Sequence, residues 1–193
     1  MDDEQRFARI VSIACHDLRT PLAVIYGFGQ TLGRSKLPET ETRYIEMIRA
    51  GTNQITELLD ELALVARIET GRYDPALVEV DSLELAREAA SDLEERVEVS
   101  GEGASVQADP DATARSVSRL AKAATRHGGI DSVTLIVRGS ELEISPLKRN
   151  AAGVVLGEDL RELGAVSAVE HLRALGATLE VDGERLLIGL PAP

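Results

Sequence analysis

His16, Asp17, Thr20 and Pro21 fall in one short stretch of a 193-residue chain, with Arg9 and Arg19 nearby. Upstream and downstream of them, Phe7, Ile10, Ala14, Leu18, Leu22, Ile25, Phe28 and Leu32 recur at steps of three and four, the apolar stripe of a long helix. At about 100° per residue, His16 lies nearly opposite the centre of that stripe, so its imidazole should point into water. A neutral imidazole carries a lone pair for nucleophilic or proton-transfer chemistry, and an adjoining carboxylate can hold the other ring N–H and so fix which nitrogen attacks. Thr20 shares the face of His16 one turn away, and Arg9 and Arg19 flank it. Pro21 lacks the N–H that would bond the carbonyl of Asp17, at a cost of ~3 kcal/mol in a helix interior. A local kink beside an exposed imidazole is the kind of strain that clusters at working sites, although tertiary packing also tolerates it.

The helix that carries these residues should run for roughly 30 residues before Gly33–Pro38 interrupts it. A second helix follows, in which Ile45, Ile48, Thr52, Ile55, Leu59, Leu62 and Ala66 alternate steps of three and four, the period of a coiled-coil-like seam, and it should end near Gly71. Two such helices make an antiparallel hairpin with little interior of its own. The seam therefore predicts a homodimer of two hairpins in a four-helix bundle, the alternative being that it packs against the second domain.

Beyond the hairpin the pattern changes to short elements between Gly and Pro, which predicts two domains, 1–72 and 73–193. The second reads as a strand at 77–80, a helix capped by Asp81, a strand near Val106 and a helix opened by Asp109-Pro110 that stops at Gly128-Gly129. Hairpins around Gly139-Ser140 and Asp182-Gly183 flank a helix over 164–175. The expected fold is α+β: a helical hairpin, then a small α/β sandwich with helices on one face of a sheet.

The net charge is −12, of which −10 falls in 73–193, and aromatic residues make up only 3%. Both features argue against nucleic acid and anionic lipid as partners. No apolar run approaches the ~20 residues of a membrane span, and Met1-Asp2-Asp3-Glu4 has the wrong charge for a signal peptide, so a cytoplasmic location is expected. Cys15 and three scattered histidines, His16, His127 and His171, do not compose a metal site.

The stretch Phe7-Ala-Arg-Ile-Val-Ser-Ile-Ala-Cys-His16-Asp17-Leu18-Arg19-Thr20-Pro21-Leu22-Ala23 resembles the H-box of sensor histidine kinases. Tyr44–Ile48, Leu58–Leu62 and Ile68–Arg72 extend the resemblance to that family's dimerisation and phosphotransfer domain. It implies that His16 accepts a phosphoryl group, that Asp17 orients or deprotonates the ring, and that Thr20 supports water-mediated dephosphorylation of a partner. Arg9, Arg19 and Pro21 would then face the receiver domain of a response regulator, though ordinary solvation explains the arginines equally well.

Residues 73–193 resemble the same family's ATP-binding domain in element order, but the boxes are altered. Ala123 stands where the family keeps a magnesium-holding asparagine, and a methyl group cannot ligate Mg²⁺. Ser145-Pro146-Leu147-Lys148-Arg149 replaces the acidic adenine anchor, Leu163-Gly164-Ala165-Val166 keeps one glycine of the phosphate loop, and the lid from Lys148 to Glu162 is short. With six residues ahead of Phe7, no sensor segment is expected. The chain thus resembles dimeric histidine phosphotransferases. The expected function is a phosphorelay intermediate that shuttles phosphoryl groups between receivers through His16, with no cofactor of its own and Mg²⁺ supplied by the receiver. The alternatives are an ATP-dependent kinase core and a pseudokinase scaffold or phosphatase.

Overall fold

The computed structural model describes residues 3–93 and 97–193, which divide into two compact units, Met1–Tyr73 and Asp74–Pro193. The first is an antiparallel pair of helices, α1 (Asp3–Gly33) and α2 (Glu39–Glu69). Glu39 and Glu41 in the first turn of α2 and Arg67 in the last oppose its macrodipole favourably. Gly71, at φ +64°, ends α2, with its N–H donating to the Ile68 carbonyl and that of Arg72 reaching back to Arg67. This doubly bonded stop needs a residue in the left-handed region, which glycine occupies without steric cost.

The helices meet through a narrower face than the apolar stripe. Ile45, Thr52, Leu59 and Ala66, one per heptad of α2, are buried, as are Ala8, Cys15 and Gly29 of α1. A Cβ on Gly29 would come within 3.0 Å of the Arg49 side chain, so the small residue lets the Arg49 stem cross. The other half of each pattern stays open: Phe7, Ile10, Leu18, Ile25, Phe28 and Leu32 on α1, and Ile48 and Ile55 on α2, are all exposed in the single chain. The pattern therefore splits, Ile45, Thr52, Leu59 and Ala66 closing the hairpin while most of the α1 stripe, Ala14 included, faces out.

The second unit places a five-stranded sheet, ordered β2-β4-β5-β7-β6, beside a two-stranded ribbon of β1 (Val78–Asp81) and β3 (Ser105–Ala108). β2 (Glu98–Gly103) runs parallel to β4 (Thr134–Gly139); the pairings of β4 with β5 (Glu141–Ser145), β5 with β7 (Arg185–Gly189) and β7 with β6 (Thr178–Asp182) are antiparallel. Leu135, Val137, Leu142, Ile144, Leu186 and Ile188 point to one face and join the core with α3 (Ser82–Ser91), α4 (Pro110–Gly128), α5 (Arg149–Val155) and α6 (Leu163–Ala174). The strand period of two explains this one-sided burial. Asp81 caps α3 by accepting from the N–H groups of Leu83 and Glu84, and Asp109 caps α4 ahead of Pro110.

Two elements go beyond the sequence expectation. β2 is an edge strand with one core-facing apolar residue, Val99, and its Gly101 sits at φ +108°, where a Cβ would lie 2.0 Å from the Val137 carbonyl oxygen. α5 lies within the stretch expected to be a lid, burying Ala151, Val154 and Val155 against its neighbours.

Candidate functional site

The phosphoacceptor-like residues lie on α1. The His16 and Asp17 side chains are 80% and 73% exposed, and their Nδ1 and Oδ1 atoms lie 3.2 Å apart. That contact can hold a proton on Nδ1, leaving Nε2 with its lone pair outward. Thr20 and Pro21 are exposed further along, and α1 remains one helix through Pro21. Because proline has no N–H, the Asp17 carbonyl loses its helical donor there, which loosens the turn that carries the site.

His16, Asp17 and Thr20 thus share a solvent-facing surface, with Arg9 exposed two turns earlier. Arg19 turns the other way. Its Nη2 and Nε donate to the same oxygen of Asp60 on α2, at 2.7 and 3.2 Å. Asp60 carries no role in the sequence reading, because its partner is fixed by the pairing of two helices rather than by local spacing. Between these groups Cys15 is 1% exposed, packed with Leu59 and Ala63, and burial raises its thiol pKa.

In the second unit Ala123 is fully buried in the core, Pro146 is exposed, and Gly164 lies in the first turn of α6. The stretch 148–162 is tied down by side chains: Glu162 accepts from Arg126 at 3.0 Å and meets His127 Nε2 at 2.7 Å, while Asn150 donates to the His127 carbonyl at 2.6 Å. The buried methyl at 123 offers no lone pair to a metal, and Ser145-Pro146 at the end of β5 offers no carboxylate. Those residues do not fit a magnesium nucleotide held in the way the resemblance implies.

A hairpin displaying an exposed histidine, followed by a sheet domain of this topology, is the architecture of a histidine kinase core. Residues 8–71 match the model of the His Kinase A (phospho-acceptor) domain. The chain is 32% identical over 94 residues to the sensor histidine kinase TrcS of Mycobacterium tuberculosis, covering 48% of this chain and 18% of that protein. To the probable sensor histidine kinase TcrY of the same organism it is 29% identical over 128 residues, 63% of this chain and 27% of the relative. The chain therefore spans about a quarter or less of the length of these relatives.

Among solved structures, full-length ShkA in complex with AMPPNP aligns with a TM-score of 0.68 at 18% identity, over 96% of this chain and 47% of that one. The Acinetobacter baumannii histidine kinase AdeS aligns with a TM-score of 0.58 at 16% identity, over 91% and 97% of the two chains. These likenesses show the fold of a histidine kinase core. No helix among the described residues is long and apolar enough to cross a membrane.

Proposed function

We propose that the chain is a two-component phosphoacceptor in which His16 takes a phosphoryl group from one response-regulator receiver and returns it to another. The carrying observation is the exposed His16–Asp17 pair inside a matched phospho-acceptor domain. Nε2 of His16 forms the new N–P bond as the acyl-phosphate P–O bond of the receiver breaks, and the receiver leaves with its carboxylate restored. Asp17 holds the Nδ1 proton and offsets the positive charge that develops on the ring. Thr20, one turn on, is positioned for a water directed at the receiver's phosphate, and Arg9 and Pro21 border the surface a receiver would cover, whereas Arg19, expected there from the sequence, is engaged with Asp60 instead. Mg²⁺ comes with the receiver.

The proposed active form is a homodimer. The support is the run of large apolar side chains left exposed along both helices, among them Phe7 at 69% and Phe28 at 67%, which a second hairpin would cover.

A second reading, an ATP-dependent sensor kinase core, is favoured by the relatives, which are described as sensor histidine kinases. The buried methyl of Ala123 and the tied-down stretch 148–162 favour the receiver as donor. One labelling experiment separates them. Acid-labile, base-stable label on the chain from a phosphorylated receiver, absent with ATP and Mg²⁺ and absent in His16→Ala, supports phosphotransfer. Label from ATP establishes the kinase reading instead.

A further inference from the structure

We infer that the Arg19–Asp60 pair is a rotational stop that sets the azimuth of α1 at the phosphoacceptor turn, making both residues positioning residues for His16. The inference rests on the phosphoacceptor reading for its consequence, but not for its geometry.

Where α1 crosses α2 beside His16, the buried contact is small: Cys15, Leu59 and Ala63, with Val11, Leu22 and Leu62 partly buried around it. On the α1 side the fully buried member is only the Cys15 thiol, set against Leu59 and Ala63, so α1 contributes no large knob there to resist rotation about its axis. Pro21, two residues beyond Arg19, removes a hydrogen bond from the same stretch. A directional element at this level is the fork from Arg19 to Asp60, two N–H groups on one carboxylate oxygen. Arg19 lies one turn above Cys15 on the same side of α1, while His16 follows Cys15 by about 100°. Rotation that released the fork would therefore carry Cys15 out of its contact and swing His16 around the bundle surface together.

Cys15 is the single cysteine of the chain, so it reports that rotation directly. The test is the rate at which the 193-residue chain reacts with a disulfide-exchange thiol reagent, compared for wild type, Arg19→Gln, Asp60→Asn and the reciprocal Arg19→Asp/Asp60→Arg variant. Both single variants should react about two to five times faster, the range that loss of an exposed pair allows, and the reciprocal variant should return toward wild type. Electrostatics alone cannot mimic this result: Arg19 lowers the Cys15 pKa and Asp60 raises it, so removing each charge would shift the thiolate in opposite directions. Equal rates in wild type and both single variants, rates that move in opposite directions, or a reciprocal variant that stays fast would overturn the inference.

The same variants should lower kcat for phosphoryl transfer from a receiver by a similar factor with KM unchanged. A raised KM confined to Arg19→Gln would instead make Arg19 a docking cation and overturn the positioning role. A wild-type chain that never labels on His16 would sink the proposed function alone, since thiol reactivity is read without any phosphodonor.

Discussion

The exposure of His16 separates it from the buried His171. The latter is fully buried, with Nδ1 2.8 Å from Ser116 Oγ, and burial pushes its pKa down to about 4, with Asp109 opposing and Arg119 and Arg115 adding to the shift. The unfolded chain then binds a proton that the folded one refuses as pH falls from about 6.5 to about 4, so stability declines through that window by at most about 3 kcal/mol. Denaturant titrations at pH 7 and pH 4.5 should show this decline, and His171→Gln should flatten its slope whatever it does to absolute stability. For His16 the relevant quantity is nucleophilicity. His16→Ala should abolish label from a phosphorylated receiver, and Asp17→Asn should slow labelling by roughly a hundredfold without altering the helical signal in circular dichroism.

At the scale of elements, glycines with the same sign of φ carry different weights. Gly101→Ala would drive a methyl into the Val137 carbonyl and should cost on the order of 3 kcal/mol, releasing the edge strand β2. Gly129, at φ +63°, has open space where a methyl would stand, and its change to alanine should cost only about 1 kcal/mol. Urea midpoints of the two variants test the ordering. The same pair shows what was legible in the sequence. The C-cap at Gly129 follows a strongly periodic helix opened by Asp109-Pro110, so both ends announce themselves. β2 hides because one apolar residue faces the core and a glycine interrupts its alternation. α5 hides because Lys148 gives no side-chain cap and Gly153 lies within it, although Ala151, Val154 and Val155 hold the three- and four-residue spacing that would have revealed it. The His16 turn was readable because it is local. Asp60 was not, because only the packed hairpin brings it to Arg19.

For the whole molecule, the open half of the helical seam makes a quantitative claim about assembly. Ile48 and Ile55 are 50% and 49% exposed in the single chain, and replacing both by aspartate should halve the mass seen by sedimentation, while the second unit keeps its sheet signal. A mass unchanged from wild type would place the interface elsewhere. The outer strands of the sheet carry a different consequence. β2 presents Glu98 and Glu102 and β6 presents Glu180, on the two borders where, among the described residues, no further strand pairs in the sheet. In neutral solution these carboxylates repel an approaching copy before strands can zip together, and the positive φ of Gly101 makes the template less regular on one side. Exchanging the three for glutamine should leave each molecule folded but shorten the lag before fibrils form on prolonged incubation, a guard against polymerisation built into the borders of the sheet.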